Sequence, residues 1–126
     1  MNPATPPAPL PAPTAPRPER WRIDAAAADV ATLVIPPDPA RTRRFEIDCR
    51  LVVAALADGA RHAMRVEVDG GLEWTRRAAT ENPGHSDSMD YHFRRELPPG
   101  RPLRIVVKTQ ARQARRVRLV IEAEEG

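Results

Sequence analysis

The chain has 126 residues, a formal net charge of +3, 15 prolines and one cysteine. That length gives room for one domain, and a lone cysteine excludes an internal disulfide framework. No stretch approaches the roughly 18 consecutive apolar residues of a membrane-crossing helix.

Residues 1–18 are almost entirely Pro, Ala and Thr. Proline lacks the backbone donor and holds φ fixed, so this stretch reads as an extended, solvated arm of polyproline II character. With no basic n-region and no apolar h-region it does not read as a secretory signal. The single thiol agrees with that, and a soluble, cytoplasmic protein is the expectation. The domain proper is expected over 19–126.

Two short strands come first, "WRID" and "VATLVIP", joined by the alanine run Ala25 to Ala28, where Asp24 is placed to cap one helical turn. In "RFEIDCRLV" the period becomes two: Phe45, Ile47, Cys49, Leu51 and Val53 alternate with Glu46, Asp48, Arg50 and Val52. The continuation "LVVAALA" is apolar on both faces. Val52, Ala54 and Leu56 therefore need a cover, either another subunit or the segment Trp21 to Ile35 folded back. "HAMRVEV" sets His62, Met64, Val66 and Val68 on one face, and "DGG" ends it in a tight turn. "LEWTRRA" pairs Leu72 with Trp74, and "MDYHF" pairs Met89, Tyr91 and Phe93. "LRIVVKT" and "RRVRLVIEA" follow, the latter with Val117, Leu119 and Ile121 in phase. Seven or eight short strands and no helix predict an all-β antiparallel sandwich, jelly-roll or immunoglobulin-like.

The succession "VIPPDPARTRRFEI", "RVEVDGG" and "YHFRRELPPGRPLRIVV" resembles jelly-roll carbohydrate-binding modules over about residues 30 to 123. The resemblance implies a jelly-roll sandwich and names carbohydrate as one ligand class.

The densest chemical cluster is "HSDSMDYHF", His85 to Phe93. Alternation sets Asp90 and His92 side by side, about 6.5 to 7 Å apart by backbone rise, with His85 and Asp87 in the preceding loop. Their spacing matches no zinc or calcium pattern, and "NPGHSDS" has turn composition, so a solvated loop entering a strand is expected and no metal. Cys49 falls in core phase, where a thiol is inert, and His62 is in phase with Met64. The serines, Ser86 and Ser88, have no glycine elbow, and neither a phosphate loop nor a dinucleotide fingerprint is present. No catalytic residue, no cofactor and no enzyme activity are expected.

From Arg101 to Arg118 there are seven basic residues and no acidic one. Such asymmetry favours an anionic partner. Nucleic acid is not the expected one, because single-strand binders interleave aromatic platforms with their cations and three of the five aromatics here sit in core phase. The expected function is a non-catalytic interaction module that binds a protein partner or forms a homodimer, with no membrane association. The alternative is a module for carbohydrate or another polyhydroxylated or anionic ligand, using Trp74, Arg76, Asp87, Asp90 and His92.

Overall fold

The computed structural model describes residues 17–81 and 86–126. Residues 1–16 of the expected arm, and residues 82–85 with His85, lie outside them. Among the described residues eight strands are formed: β1 (Arg20–Asp24), β2 (Val30–Ile35), β3 (Arg43–Ala55), β4 (Arg61–Val68), β5 (Gly71–Ala79), β6 (Ser86–Leu97), β7 (Leu103–Arg112) and β8 (Ala114–Glu125).

Their pairing is nested. β1 runs antiparallel to β8, β2 to β7, β3 to β6 and β4 to β5. β8 also pairs with β3, and β7 with β4, which gives two four-stranded sheets ordered β1-β8-β3-β6 and β2-β7-β4-β5. A long ribbon of paired strands rolled onto itself in this way is the jelly roll. Of the two sandwich types expected, this is the one observed. The β4–β5 turn is the tip of the ribbon. Asp69 and Gly70 both take positive φ, 49° and 83°, between the paired Val68 and Gly71. Such a two-residue turn matches the right-handed twist of the strands it joins, and Asp-Gly is its favoured sequence.

Alternation locates the core correctly in β3, where Phe45, Ile47, Cys49, Leu51 and Val53 are all buried. Leu119 and Ile121 of β8 lie beside them in the same sheet, and Met64 and Val66 of β4 and Ile105 and Val107 of β7 meet them across the sandwich. Two expected core residues are displaced by β-bulges. Val52 is paired with Arg118 but Val53 with Arg116, so Val117 is an extra residue and is 38% exposed. Likewise Val66 is paired with Trp74 but Glu67 with Leu72, so Glu73 is extra and Leu72 is 54% exposed. An unpaired residue shifts the alternation by one, which sends the next side chain to the other face.

The alanine run makes no helical turn. Asp24 Oδ1 accepts from Ala26 N at 2.9 Å, Ala28 N donates to Ala25 O, and Ala26 has φ +52°. That is a tight turn closed by an aspartate side chain. Nor does the segment Trp21 to Ile35 cover the outer stripe of β3. β1 lies in the plane of the first sheet beside β8, and β2 belongs to the second sheet. Val52 and Ala54 are left half-buried and Leu56 exposed.

An ion-pair clasp ties the start of β1 to the end of β8. Glu19 and Glu125 both accept from Arg41, Glu19 also from the buried Arg43, and Asp38 from Arg41.

Cys49 has no exposed surface, and its thiol pKa is pushed up to about 12, by burial first and the neighbouring Asp48 carboxylate second. Only the thiolate reacts with disulfide reagents. In the folded protein at about pH 8 no labelling of Cys49 is expected, and one equivalent on unfolding in denaturant. Rapid stoichiometric labelling of the native protein would show that β3 opens locally.

Candidate functional site

The five candidate ligand residues fall into two places that face different ways. Trp74 of β5 turns into the seam between the sheets and stacks on Tyr91 of β6, ring centroids 4.7 Å apart and planes 13° from parallel. Tyr91 stacks in turn on Phe93 at 5.4 Å. The bulge residue Glu73 closes the same seam, accepting from Tyr91 Oη at 3.2 Å and from Arg95 Nη2 at 2.6 Å. Burial, and then the bond to Glu73, raise the Tyr91 phenol pKa. Arg76 follows two residues after Trp74, opposite the inward-facing Met64, and its side chain is exposed at the rim. Asp87 is also inward, opposite Val53, and accepts from Glu81 N at 2.7 Å.

Between Arg76 and Asp87 lies His62, which is buried, with Nδ1 2.6 Å from Thr80 Oγ1. Burial lowers its pKa; the Asp87 charge opposes that and the Arg76 charge adds to it. His62 is therefore a core residue satisfied by a hydroxyl.

Asp90 and His92 project from the opposite side of β6, on the outer face of the first sheet. Register pairs each with a residue of β3: Asp90 with Arg50, at 3.5 Å, and His92 with Asp48, at 2.6 Å. Among the described residues no three of His, Cys, Asp and Glu converge as metal ligands would.

Cross-strand register builds this outer face in rows. One row runs Arg22, Glu122, Asp48, His92 across β1, β8, β3 and β6; the next runs Asp24, Val120, Arg50, Asp90. Val52 lies one step further along, beside Arg118 and Ser88. Val52 and Val120 floor a depression of about 450 Å3, with Arg22, Arg50, Arg118, Asp48, Asp90 and Glu122 around it. Ion pairs cross it, Arg118 with Asp24 at 3.5 Å and Arg50 with Asp90 at 3.5 Å, and each adds little stability because both partners are solvated. Chemically the result is an apolar centre with a polar rim of both signs, the anatomy of a protein interface. Of its residues only Asp90 was a ligand candidate, and only Val52 and the Arg50 that flanks its stripe belonged to an expected contact. The outward phase of the others is readable in each strand, but Arg22 and Glu122 become neighbours only through the β1–β8 pairing.

The basic run is dispersed as well. β7 and β8 belong to different sheets, so Arg104, Lys108 and Arg112 face outward from the second, while Arg118 faces outward from the first. Arg116 turns inward to Thr109, its Nε donating to Oγ1 at 2.9 Å.

Fold and surfaces thus define a jelly-roll β-sandwich whose polar chemistry lies on its faces. No family model and no curated protein matches the chain. Among solved structures, dimeric latent PorU from Porphyromonas gingivalis resembles it with a TM-score of 0.58 and 11% identity over 83% of this chain. The chain spans only 10% of the length of that protein. The VP2 subviral particle of infectious bursal disease virus covers 94% of this chain and 36% of its own, at 14% identity and a TM-score of 0.48. At such identity the PorU likeness is one of fold.

Proposed function

We propose that the domain is a non-catalytic interaction module, and that a second copy of itself docks on the outer face of the first sheet. One observation carries this reading: an apolar floor of Val52 and Val120 is ringed by three arginines and three carboxylates. A balanced rim gives no net attraction to a strongly charged partner, and it suits a surface with the same mixture. Val52 is half-buried and Val120 only 9% exposed already, so covering the floor contributes less than the roughly 1.5 to 3 kcal/mol of a fully exposed side chain, and the matched rim has to supply the rest. Carbohydrate binding draws less support, because one ring face of Trp74 is taken up by Tyr91.

Sedimentation equilibrium at micromolar concentration tests this, with wild type beside Val52→Glu. Reversible association is expected for the wild type, and a folded monomer for the variant, since the glutamate stands on the solvent side of β3. A wild type that stays monomeric throughout rejects self-association. A variant that unfolds would make Val52 part of the core.

A further inference from the structure

The outer face of the second sheet differs sharply from that of the first. Its strands direct Arg61 and Arg65 from β4, Arg77 from β5, and Arg104, Lys108 and Arg112 from β7 to solvent. Opposed cations occur there twice in register, Arg65 with Lys108 and Arg61 with Arg112. Like charges directly across a strand pair repel. The first pair is answered within the chain: Glu67 lies 3.1 Å from Arg65 and 3.2 Å from Lys108, and its carboxyl pKa is lowered, chiefly by the bond from Lys108.

No carboxylate among the described residues answers the second pair. Residues 1–16 and 82–85 contain no Asp or Glu that would supply one. Where an acidic residue would sit there are alanines. Ala79 is opposite Arg61, and Ala63 lies between Gln110 and Arg77. The short side chains leave a hollow of about 450 Å3 beneath the reach of Arg61, Arg77, Arg112 and Gln110.

From this arrangement we infer that the hollow binds a small molecule through a phosphate or sulfate ester. Guanidinium groups present paired donors that match a tetrahedral oxyanion two oxygens at a time, and the Gln110 carboxamide adds a neutral donor. An oxyanion seated on the alanine floor takes the place that Glu67 holds in the neighbouring rows and relieves the Arg61–Arg112 repulsion. Among the described residues no Phe, Tyr or Trp lines the hollow, and the His62 ring in its lining is buried and held by Thr80, so neither a base nor a sugar ring has a stacking platform; the oxyanion itself is what the site recognises. The site is on the opposite side of the sandwich from the proposed docking face, and it stands or falls independently of it.

Calorimetric titration with inorganic pyrophosphate at low salt is the primary test, with inorganic sulfate as the second arm. Saturable one-to-one binding of pyrophosphate is expected. Arg61→Gln with Arg112→Gln should weaken it roughly tenfold or more, as loss of charged hydrogen-bond partners does. Lys108→Gln, whose lysine is held by Glu67, should change it less than about twofold, the scale of a diffuse screened charge. Matched titrations of inorganic phosphate and inorganic sulfate at about pH 8, where both are largely dianions, separate the two: tighter phosphate assigns a phosphate ester, and tighter sulfate a sulfate ester. In the absence of probe the double variant should melt no lower than wild type, because it removes a repulsion. Absence of saturation, equal weakening by Lys108→Gln, or a destabilised double variant would each overturn the proposal. So would an oligodeoxynucleotide that binds through the same arginines more tightly per phosphate than pyrophosphate does.

Discussion

Arg43→Ala is expected to destabilise the domain by roughly 3 kcal/mol, the low end for breaking a buried ion pair. The Arg43 side chain is 2% exposed. Its Nη1 donates to both Glu19 oxygens at 2.9 and 3.1 Å, its Nη2 to Pro36 O at 2.7 Å, and its guanidinium lies 5.4 Å from the centre of the Phe45 ring. Alanine would strip Glu19 and Pro36 of this donor and uncover one end of the core. The low end applies because Glu19 keeps its bond from Arg41 at 2.8 Å. For a domain of this size each kcal/mol moves the midpoint by about 4 to 8 °C, so a fall of more than about 10 °C is the readout. Arg44→Ala is the control. Its partner Glu96 is 3.6 Å away and both side chains are mostly solvated, so a change within about 0.5 kcal/mol is expected. Equal effects at the two positions would mean that the clasp adds no stability.

The same clasp sets the sign of the acid response. The hydrogen bond from Arg41 lowers the Glu125 carboxyl pKa, and the backbone bond from Ala40 lowers that of Asp38. A depressed folded pKa means that the unfolded chain binds protons first. The stabilisation is therefore present above the ordinary values of 4.5 and 3.8 and is lost as the pH falls through the lower folded ones. Urea midpoints followed down from neutral pH should fall in that acid window.

Trp74→Ala is expected to cost roughly 3 kcal/mol, again the low end for a large aromatic truncated to alanine, because Trp74 is only half-buried. β5 and β6 are edge strands of different sheets, and the stack of Trp74, Tyr91 and Phe93 spans the seam between them. Removing the indole exposes Tyr91 and weakens the setting of the Glu73–Arg95 pair. Leu72→Ala, on the solvent side of the adjoining bulge, should change stability by less than about 0.5 kcal/mol. If both variants melt like wild type, Trp74 is not closing the sandwich, and a role as an open ligand platform returns.

Sequence alone was enough to place the β3 core, because Phe45, Ile47, Cys49, Leu51 and Val53 follow a period of two that any half-buried strand must show. It was enough for the Asp69–Gly70 turn too, since positive φ at successive residues selects its own amino acids. Both are local properties, decided within a few residues. What escaped it depends on partners distant in the chain. The bulges at Glu73 and Val117, which send Leu72 and Val117 to solvent, arise from register with β4 and β3. Arg43 reads as a solvated arginine at a strand start until Glu19 and Pro36 close around it. Trp74 and Asp90 share a polar look in the sequence, yet the rolled ribbon sends one into the seam and the other to the outer face. The unbroken basic run from Arg101 to Arg118 divides because its two strands join different sheets. Alternation tells which side chains of a strand share a face. Only the pairing of one strand with another, across as much as the whole chain for Arg22 and Glu122, decides which charges meet and which are left for a partner to answer.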